Sequence, residues 1–216
     1  MKLVIFDWDG TLCDSTAKIA RCVQVAADSI GLPALDETTV KGIIGLGLFE
    51  ACQTLYPDIE EVDVHRLAKA YSHHFLQDDE KPPLYEGALE FMEALRSRGV
   101  QMAIATGKSR RGLNRILDET ALAHWFDFTR CADETVSKPN PLMLNEILAE
   151  AQCHHNQAVM IGDTEFDLAM AAAIEMPRVG VTYGAHPPER LHPHKPELMT
   201  SDLRECLPWV ETKLGI

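Results

Sequence analysis

The first strand of the chain and the acidic residues after it constrain the fold more than any other feature. Residues 3–6 form a continuous apolar run that leads directly into Asp7-Trp8-Asp9-Gly10. Such a run, ended by glycine, is typical of a strand buried on both faces of a parallel sheet. Because side chains alternate along a strand, Asp7 and Asp9 should point the same way, at the sheet edge where open α/β proteins bind ligands.

Two neighbouring carboxylates repel each other and therefore require a proton or a cation. Mg²⁺ suits Asp7 and Asp9 because hard divalent cations take oxygen ligands. The simpler alternative is that Asp9-Gly10 only makes a turn, since Asp-Gly is a common turn dipeptide. The run continues through Thr11, however, and the five-residue pattern is much rarer than a turn, which favours a functional site.

The rest of the chain alternates strand and helix patterns, which predicts an α/β fold with a doubly wound parallel sheet. Apolar strand patterns occupy 100–105, 158–161 and 177–181, with weaker candidates at 125–128 and 198–200. Residues 14–80, by contrast, carry helical stripes and no convincing strand, and the charged segment 78–83 ends in two prolines. We therefore predict an α/β core of residues 1–13 and 83–216, with an all-helical domain of residues 14–82 inserted after the first strand.

Composition narrows the classes of partner. The formal net charge of −13 over 216 residues argues against a nucleic-acid or anionic-membrane partner, which would require a basic patch. The six cysteines include no Cys-x-x-Cys pair, which indicates reduced thiols and a cytoplasmic protein. The strand begins at Leu3, so we expect no signal peptide, and no apolar run is long enough to span a bilayer.

Three later segments place polar residues at strand ends or helix starts. Thr106-Gly107 ends the second predicted strand, where its hydroxyl and amide suit a phosphate oxygen, although a capping role is commoner for such a threonine. Lys138 lies in a proline-flanked segment before a helix, whereas most lysines are simply solvated. Gly162-Asp163 follows an apolar strand, and Thr164 with Asp167 forms a near capping box at a helix start. The nine histidines lack the spacing of a zinc site, so we expect surface roles for them.

In order along the chain, these segments resemble the four motifs of the haloacid dehalogenase superfamily, in its phosphatase branch. The layout and the stretch 179–184 are most similar to phosphoglycolate phosphatases and their close relatives. The resemblance implies a Rossmann-like core with a helical cap. It also implies that Asp7 is a nucleophile that becomes an aspartyl phosphate, and that Asp9 is the general acid/base.

The same resemblance implies roles for the later motifs. Thr106, Gly107 and Lys138 would bind the phosphoryl group, and the Lys138 ammonium would also neutralise the nucleophile. Mg²⁺ would be held by Asp7, the backbone carbonyl of Asp9, and Asp163. Asp167 would hold Lys138 or a metal-bound water.

The expected activity is thus Mg²⁺-dependent hydrolysis of a small soluble phosphate ester. Dehalogenases and phosphonate hydrolases of the superfamily lack the second aspartate, so Asp9 argues against both. A phosphohexose mutase would carry a cap histidine twelve residues after the nucleophile, where this chain has Ile19. A non-catalytic phosphate-binding module remains the other alternative. Lys41, in a glycine-rich turn, could meet a substrate carboxylate such as that of phosphoglycolate, but it could equally be solvated. Nothing in the sequence indicates the oligomeric state.

Overall fold

The computed structural model describes residues 2–216 and contains one six-stranded sheet. Every neighbouring pair of strands is parallel, and the spatial order is β3-β2-β1-β4-β5-β6. This arrangement confirms the predicted doubly wound α/β fold. The strands are β1 (Leu3–Phe6), β2 (Gln101–Thr106), β3 (Phe128–Cys131), β4 (Ala158–Gly162), β5 (Arg178–Val181) and β6 (Leu198–Thr200).

Helices of two groups surround this sheet. Four lie between β1 and β2, before the core resumes: α1 (Thr16–Ser29), α2 (Glu37–Lys41), α3 (Leu48–Leu55) and α4 (Glu61–Gln77). The others belong to the α/β core: α5 (Ala88–Ser97), α6 (Arg110–Thr120), α7 (Leu142–Glu150), α8 (Glu165–Ala172), α9 (Pro188–Leu191) and α10 (Cys206–Leu214). Among the described residues, no helix combines the length and the apolar character needed to cross a membrane.

Strand β1 is buried on both faces, as its apolar pattern predicts. Val4 and Phe6 belong to one hydrophobic cluster, whereas Leu3 and Ile5 belong to a second cluster on the other face of the sheet. All four side chains are fully buried. At about 1.5–3 kcal/mol for each large apolar side chain, this burial fixes β1 at the centre of the sheet.

The strand order reverses around β1, and this reversal positions the site. Strands β2 and β4 flank β1, and Phe6 lies beside Ile161 in the register. The Asp7 amide still donates to the Ile161 carbonyl oxygen, at 3.0 Å. The residues that follow β1 and β4 therefore meet in the crevice where doubly wound proteins bind ligands.

The inserted helices have a hydrophobic cluster of their own. Its buried members all lie between Ile19 and Leu67. The chain enters and leaves this block side by side, because the Asp14 amide donates to the Pro83 carbonyl oxygen at 2.9 Å. The Lys18 ammonium also donates to the carbonyl oxygens of Asp78 and Glu80, at 2.8 and 2.6 Å. The division into a core and an inserted domain at residues 13/14 and 82/83 remains a prediction, which this packing supports.

One local prediction differs from the structure. The third strand is Phe128–Cys131 rather than 125–128, because Phe126 packs edge-on against Trp8 instead of pairing in the sheet. Two helix starts carry side-chain caps. The Asn140 side chain accepts from the Leu142 amide at the start of α7, and Asp202 caps a short 3₁₀ turn that precedes α10.

One histidine contradicts the expectation of surface roles. His186 is buried between the inserted block and the core. Its Nδ1 accepts from the Glu165 amide at 3.1 Å, so Nε2 carries the proton and lies 3.2 Å from the Gly42 carbonyl oxygen. Burial, together with nearby Arg190, lowers the pKa of His186 to about 4. No periodic pattern predicts this contact, because it joins segments far apart in the chain.

The lowered pKa of His186 predicts a specific pH dependence of stability. Between pH 6.5 and 4 the unfolded histidine binds a proton that the folded one does not, so the free energy of unfolding should fall as the pH drops through this window. The full loss is about 3 kcal/mol. Urea denaturation from pH 7 to 4 should show this loss as a difference between the wild type and His186→Gln, since all other titrating groups are common to both. The exposed-site control His73→Gln should follow the wild type. Identical pH profiles for all three proteins would contradict the prediction.

Candidate active site

Four predicted residues converge at the carboxyl edge of the sheet. Asp7 follows β1, Asp163 follows β4, Lys138 comes from the loop before α7, and Asp167 lies in the first turn of α8. The Lys138 ammonium lies 2.8 Å from Asp7 Oδ1 and 2.6 Å from Asp167 Oδ1. All four residues are buried. One oxygen from each of the three carboxylates lies within 4.8 Å of the other two.

The charges in this group do not balance. Three carboxylates face one ammonium, which leaves two negative charges away from water. Asp7 Oδ2 is buried and has no hydrogen-bond partner. An uncompensated buried charge of this size requires a cation or bound protons.

The pKa directions report the same imbalance. Burial raises the pKa of Asp7 well above its usual value, although the Lys138 charge opposes the shift. Burial and the Asp167 charge together raise the pKa of Asp163 to about 7. Burial tends to lower the pKa of Lys138, but the charges of Asp167 and Asp7 outweigh it and raise the pKa. The Lys138 side chain therefore stays protonated. Its single positive charge is too little to balance the negative charge of the three carboxylates.

Asp167 has both of the roles considered for it, as part of a helix capping box and as a partner of Lys138. Thr164 and Asp167 form a complete capping box at the start of α8, with Asp167 Oδ2 accepting from the Thr164 amide and hydroxyl at 3.1 and 2.7 Å. The other oxygen, Oδ1, accepts from Lys138. The cap therefore fixes the carboxylate that positions the lysine.

Asp163 and Asp9 have partners that the sequence analysis did not identify. Asp163 accepts from the Thr11 hydroxyl and from the Ala185 amide, both at 2.7 Å. Asp9 Oδ1 accepts from the Ser15 hydroxyl at 2.5 Å and forms an ion pair with Lys108 at 3.0 Å. Thr11 ends the five-residue pattern that begins at Asp7, and Lys108 directly follows Gly107, so the available signal was their position in or beside the motifs.

The two candidate phosphate-binding residues of β2 differ in placement. Thr106 is buried, and its hydroxyl accepts from the Lys108 amide at 3.1 Å, so it shapes the turn. Gly107 lines the adjacent cavity. A Cβ atom on Gly107 would overlap the carbonyl oxygens of Gly45 and Leu46, so the inserted block touches the core at this loop. Glycine is therefore required at 107 for the two to meet.

A cavity of about 570 Å³ lies between the inserted helices and the sheet edge. Asp7, Asp9 and Gly107 line its inner end, and residues of α1, α3, α4 and the turn at 43–46 form much of its wall. The glycine-rich turn thus lies beside this cavity.

Of the two alternatives for Lys41, a substrate contact and a solvated charge, the geometry favours the second. Lys41 does not line the cavity, and its ammonium pairs with Glu37 Oε1 at 2.7 Å, one helical turn away. Such i, i+4 pairs form readily on an exposed helix surface, which is the solvated alternative. The cations that do line the cavity are Lys18, Lys81, Lys108, Arg111 and Arg115.

Comparison with known proteins agrees with this geometry. The chain is 30% identical to the Probable phosphatase IndB of Dickeya dadantii, over 95% of this chain and 91% of that protein. It is 27% identical to a phosphoglycolate phosphatase of Vibrio parahaemolyticus, over 96% and 95% of the two chains. A crystal structure described as a predicted phosphoglycolate phosphatase from Haemophilus somnus shares the fold, with a TM-score of 0.87, 23% identity and 97% of each chain covered.

The family assignment rests on most of the chain. The model of the family described as haloacid dehalogenase-like hydrolase matches residues 4–181, which include Asp7, Lys138, Asp163 and Asp167. The matched region begins in β1 and ends with β5. The chain belongs to the haloacid dehalogenase-like hydrolase family.

Proposed function

We propose that this protein is a Mg²⁺-dependent phosphomonoester hydrolase that acts on a small soluble phosphate ester through an aspartyl-phosphate intermediate. The observation that carries the proposal is the buried Asp7 carboxylate, with one oxygen on Lys138 and the other without a partner. The names of the two relatives, both phosphatases, support the same reaction class. The cysteines are all buried, which is consistent with the predicted cytoplasmic location.

The residues present fit a divalent cation. Asp7, Asp163 and Asp167 offer oxygen atoms to a common point, and the group carries two unbalanced negative charges. Hard oxygen ligands and a charge of two suit Mg²⁺. Asp7 Oδ2, Asp163 and the backbone carbonyl of Asp9 would hold the ion, whereas Asp167 is engaged by Lys138 and Thr164. When bound, the ion would withdraw charge from the phosphoryl group.

Glycine residues leave the space that Asp163 occupies. A Cβ atom on Gly10 or on Gly184 would overlap the Asp163 carboxylate, and Gly10 also has a φ of +84°. The carboxylate is thus enclosed by two backbone segments and held by Thr11 and Ala185. This enclosure fixes the direction of the oxygens, as a metal site requires.

The chain's own groups supply the two chemical steps. An Asp7 oxygen attacks phosphorus, the bond from phosphorus to the leaving oxygen breaks, and Asp9 donates a proton to that oxygen. Asp9 then takes a proton from water, whose oxygen attacks phosphorus and displaces Asp7, releasing phosphate. Lys138 offsets negative charge in both steps, and Ser15 with Lys108 orients the Asp9 carboxyl.

The residue at the position of the mutase histidine argues against a phosphohexose mutase. Phosphohexose mutases resemble this chain in their motifs, but the position twelve residues after Asp7 is Ile19. Its side chain is buried, lines the cavity and cannot transfer a proton. Hydrolysis is therefore the proposed outcome.

Asp7→Asn tests the nucleophile. The amide keeps the shape but loses the attacking charge, so kcat should fall by about three orders of magnitude or more with the fold retained. Hydrolysis of a panel of small phosphate esters and circular dichroism would measure both effects. The exposed neighbour Asp14→Asn serves as the control and should keep wild-type turnover. Turnover of Asp7→Asn within tenfold of wild type would refute the aspartyl-phosphate route.

Gly184→Ala tests the enclosure of Asp163. The added methyl should displace the Asp163 carboxylate and reduce kcat/KM at limiting Mg²⁺ by at least tenfold. Gly180→Ala, in β5, is the matched control, because its Cβ would meet only ordinary contacts at 3.4 Å or more. Steady-state kinetics against Mg²⁺ concentration would distinguish them. Equal Mg²⁺ dependence in both variants would argue against the role of Asp163.

A further inference from the structure

We infer that the leaving group of the substrate is apolar, an alkyl or aryl group rather than a short carboxylate or a polyol. The inference rests on the proposed function, because it concerns the alcohol half of the same phosphate ester. It is carried by the cavity wall, because this cavity extends from Asp7 and Asp9 and would hold that half of the ester.

Hydrocarbon dominates the part of the wall that the inserted helices provide. Helix α1, the turn after α2, and helices α3 and α4 each contribute large apolar side chains. These residues belong to, or pack against, the hydrophobic cluster of the inserted block. They include Ile19, Val23, Ile44, Leu55, Tyr71 and Phe75.

The thiol and the phenol on this wall are uncharged. Burial raises the pKa of the Cys52 thiol to about 12. Burial, with the charge of Asp9, also raises the pKa of the Tyr71 phenol well above its usual value. Neither group therefore carries charge at neutral pH, and neither offers an anion a counterion.

Most cations of the cavity already have partners. Lys18 donates to two backbone carbonyl oxygens, Lys108 pairs with Asp9, and Arg115 pairs with Glu119. Lys81 and Arg111 are exposed, on the segment after α4 and on α6. The ammoniums of Lys18 and Lys108 lie over the Phe75 ring, 4.7 and 5.1 Å from its centroid. A carboxylate placed against that wall would lose water and would have to compete for them with the backbone carbonyls and with Asp9.

The size of the cavity leads to the same conclusion. At about 570 Å³ it falls within the range of sites that enclose whole organic ligands. Glycolate has two carbons and would leave most of that space to be filled by water against hydrocarbon. A longer alkyl chain or an aromatic ring would cover the wall and release that water.

A homologous series of esters tests the inference. Ethyl, butyl and hexyl phosphate differ in buried hydrocarbon but little in the intrinsic reactivity of the leaving alcohol. With Mg²⁺ present, kcat/KM should rise by about fourfold for each methylene that becomes buried, and hexyl phosphate should exceed phosphoglycolate and glycerol 1-phosphate. A flat or falling series, or a preference for phosphoglycolate, would overturn the inference and leave the phosphatase proposal intact.

Binding of the matching alkylphosphonates separates the two proposals. These compounds lack the scissile ester bond, and calorimetry with Mg²⁺ should show affinity rising with chain length. Rising affinity without turnover of any ester would support the inference that the cavity wall binds an apolar group, and it would refute the proposed hydrolysis. Affinity independent of chain length would refute the inference that the leaving group is apolar.

Two valines of α1 form a matched pair of variants. Val23 is 6% exposed and lines the cavity, whereas Val25 is 45% exposed on the same helix. Val23→Thr replaces a methyl with a hydroxyl at nearly constant volume, so kcat/KM for hexyl phosphate should fall at least threefold while that for ethyl phosphate is unchanged. Val25→Thr should alter neither. An equal loss for both esters in Val23→Thr, or the same selective loss in Val25→Thr, would contradict the inference.

Discussion

The contact of Lys138 with Asp7 and Asp167 is the interaction on which the rest of the site depends. The ammonium is fully buried, and it neutralises only one of three buried carboxylates. Removing such a group would leave uncompensated charges in the interior, which costs several kcal/mol. Burying these charges is therefore costly in free energy of folding, and each charged residue is held in place by different contacts.

The sheet positions two of the carboxylates. Because β1 and β4 are neighbours in register, Asp7 and Asp163 leave the sheet side by side. The capping box of α8 then fixes Asp167 within reach of Lys138. The inserted helices complete the enclosure, since the turn near Gly45 lies directly against Gly107. Those helices and the turn at 43–46 also form much of the cavity wall.

The sequence predicted those parts of the molecule that produce a continuous local pattern. Strand β1 and its two aspartates could be read directly, because burial on both faces requires an unbroken apolar run. Asp167 could be given two roles, since the capping pattern and the spacing of the motif coincide. The third strand was misplaced because aromatic residues near Phe126 serve packing rather than pairing.

Contacts between distant segments could not be predicted in this way. Lys41 looked like a substrate contact because it is the only cation in the glycine-rich turn, yet Glu37 on its own helix engages it. The buried role of His186 and the pairing of Lys108 with Asp9 depend on loops that approach only in three dimensions. The apolar cavity wall likewise comes from four segments, α1, the turn after α2, α3 and α4. In each of them the apolar pattern of a cavity wall is the same as that of an ordinary core helix.

Direct measurement of Mg²⁺ binding tests most directly whether the buried carboxylates form a cation site. Calorimetry should detect one Mg²⁺ per chain, and at a hundredfold excess over Kd the ion should stabilise the fold by about 2.7 kcal/mol in thermal denaturation. Asp163→Asn should lose this stabilisation, whereas the exposed control Asp28→Asn should keep it. Absence of binding to the wild type, or full stabilisation of Asp163→Asn, would show that the unbalanced charge is met by protons rather than by a metal.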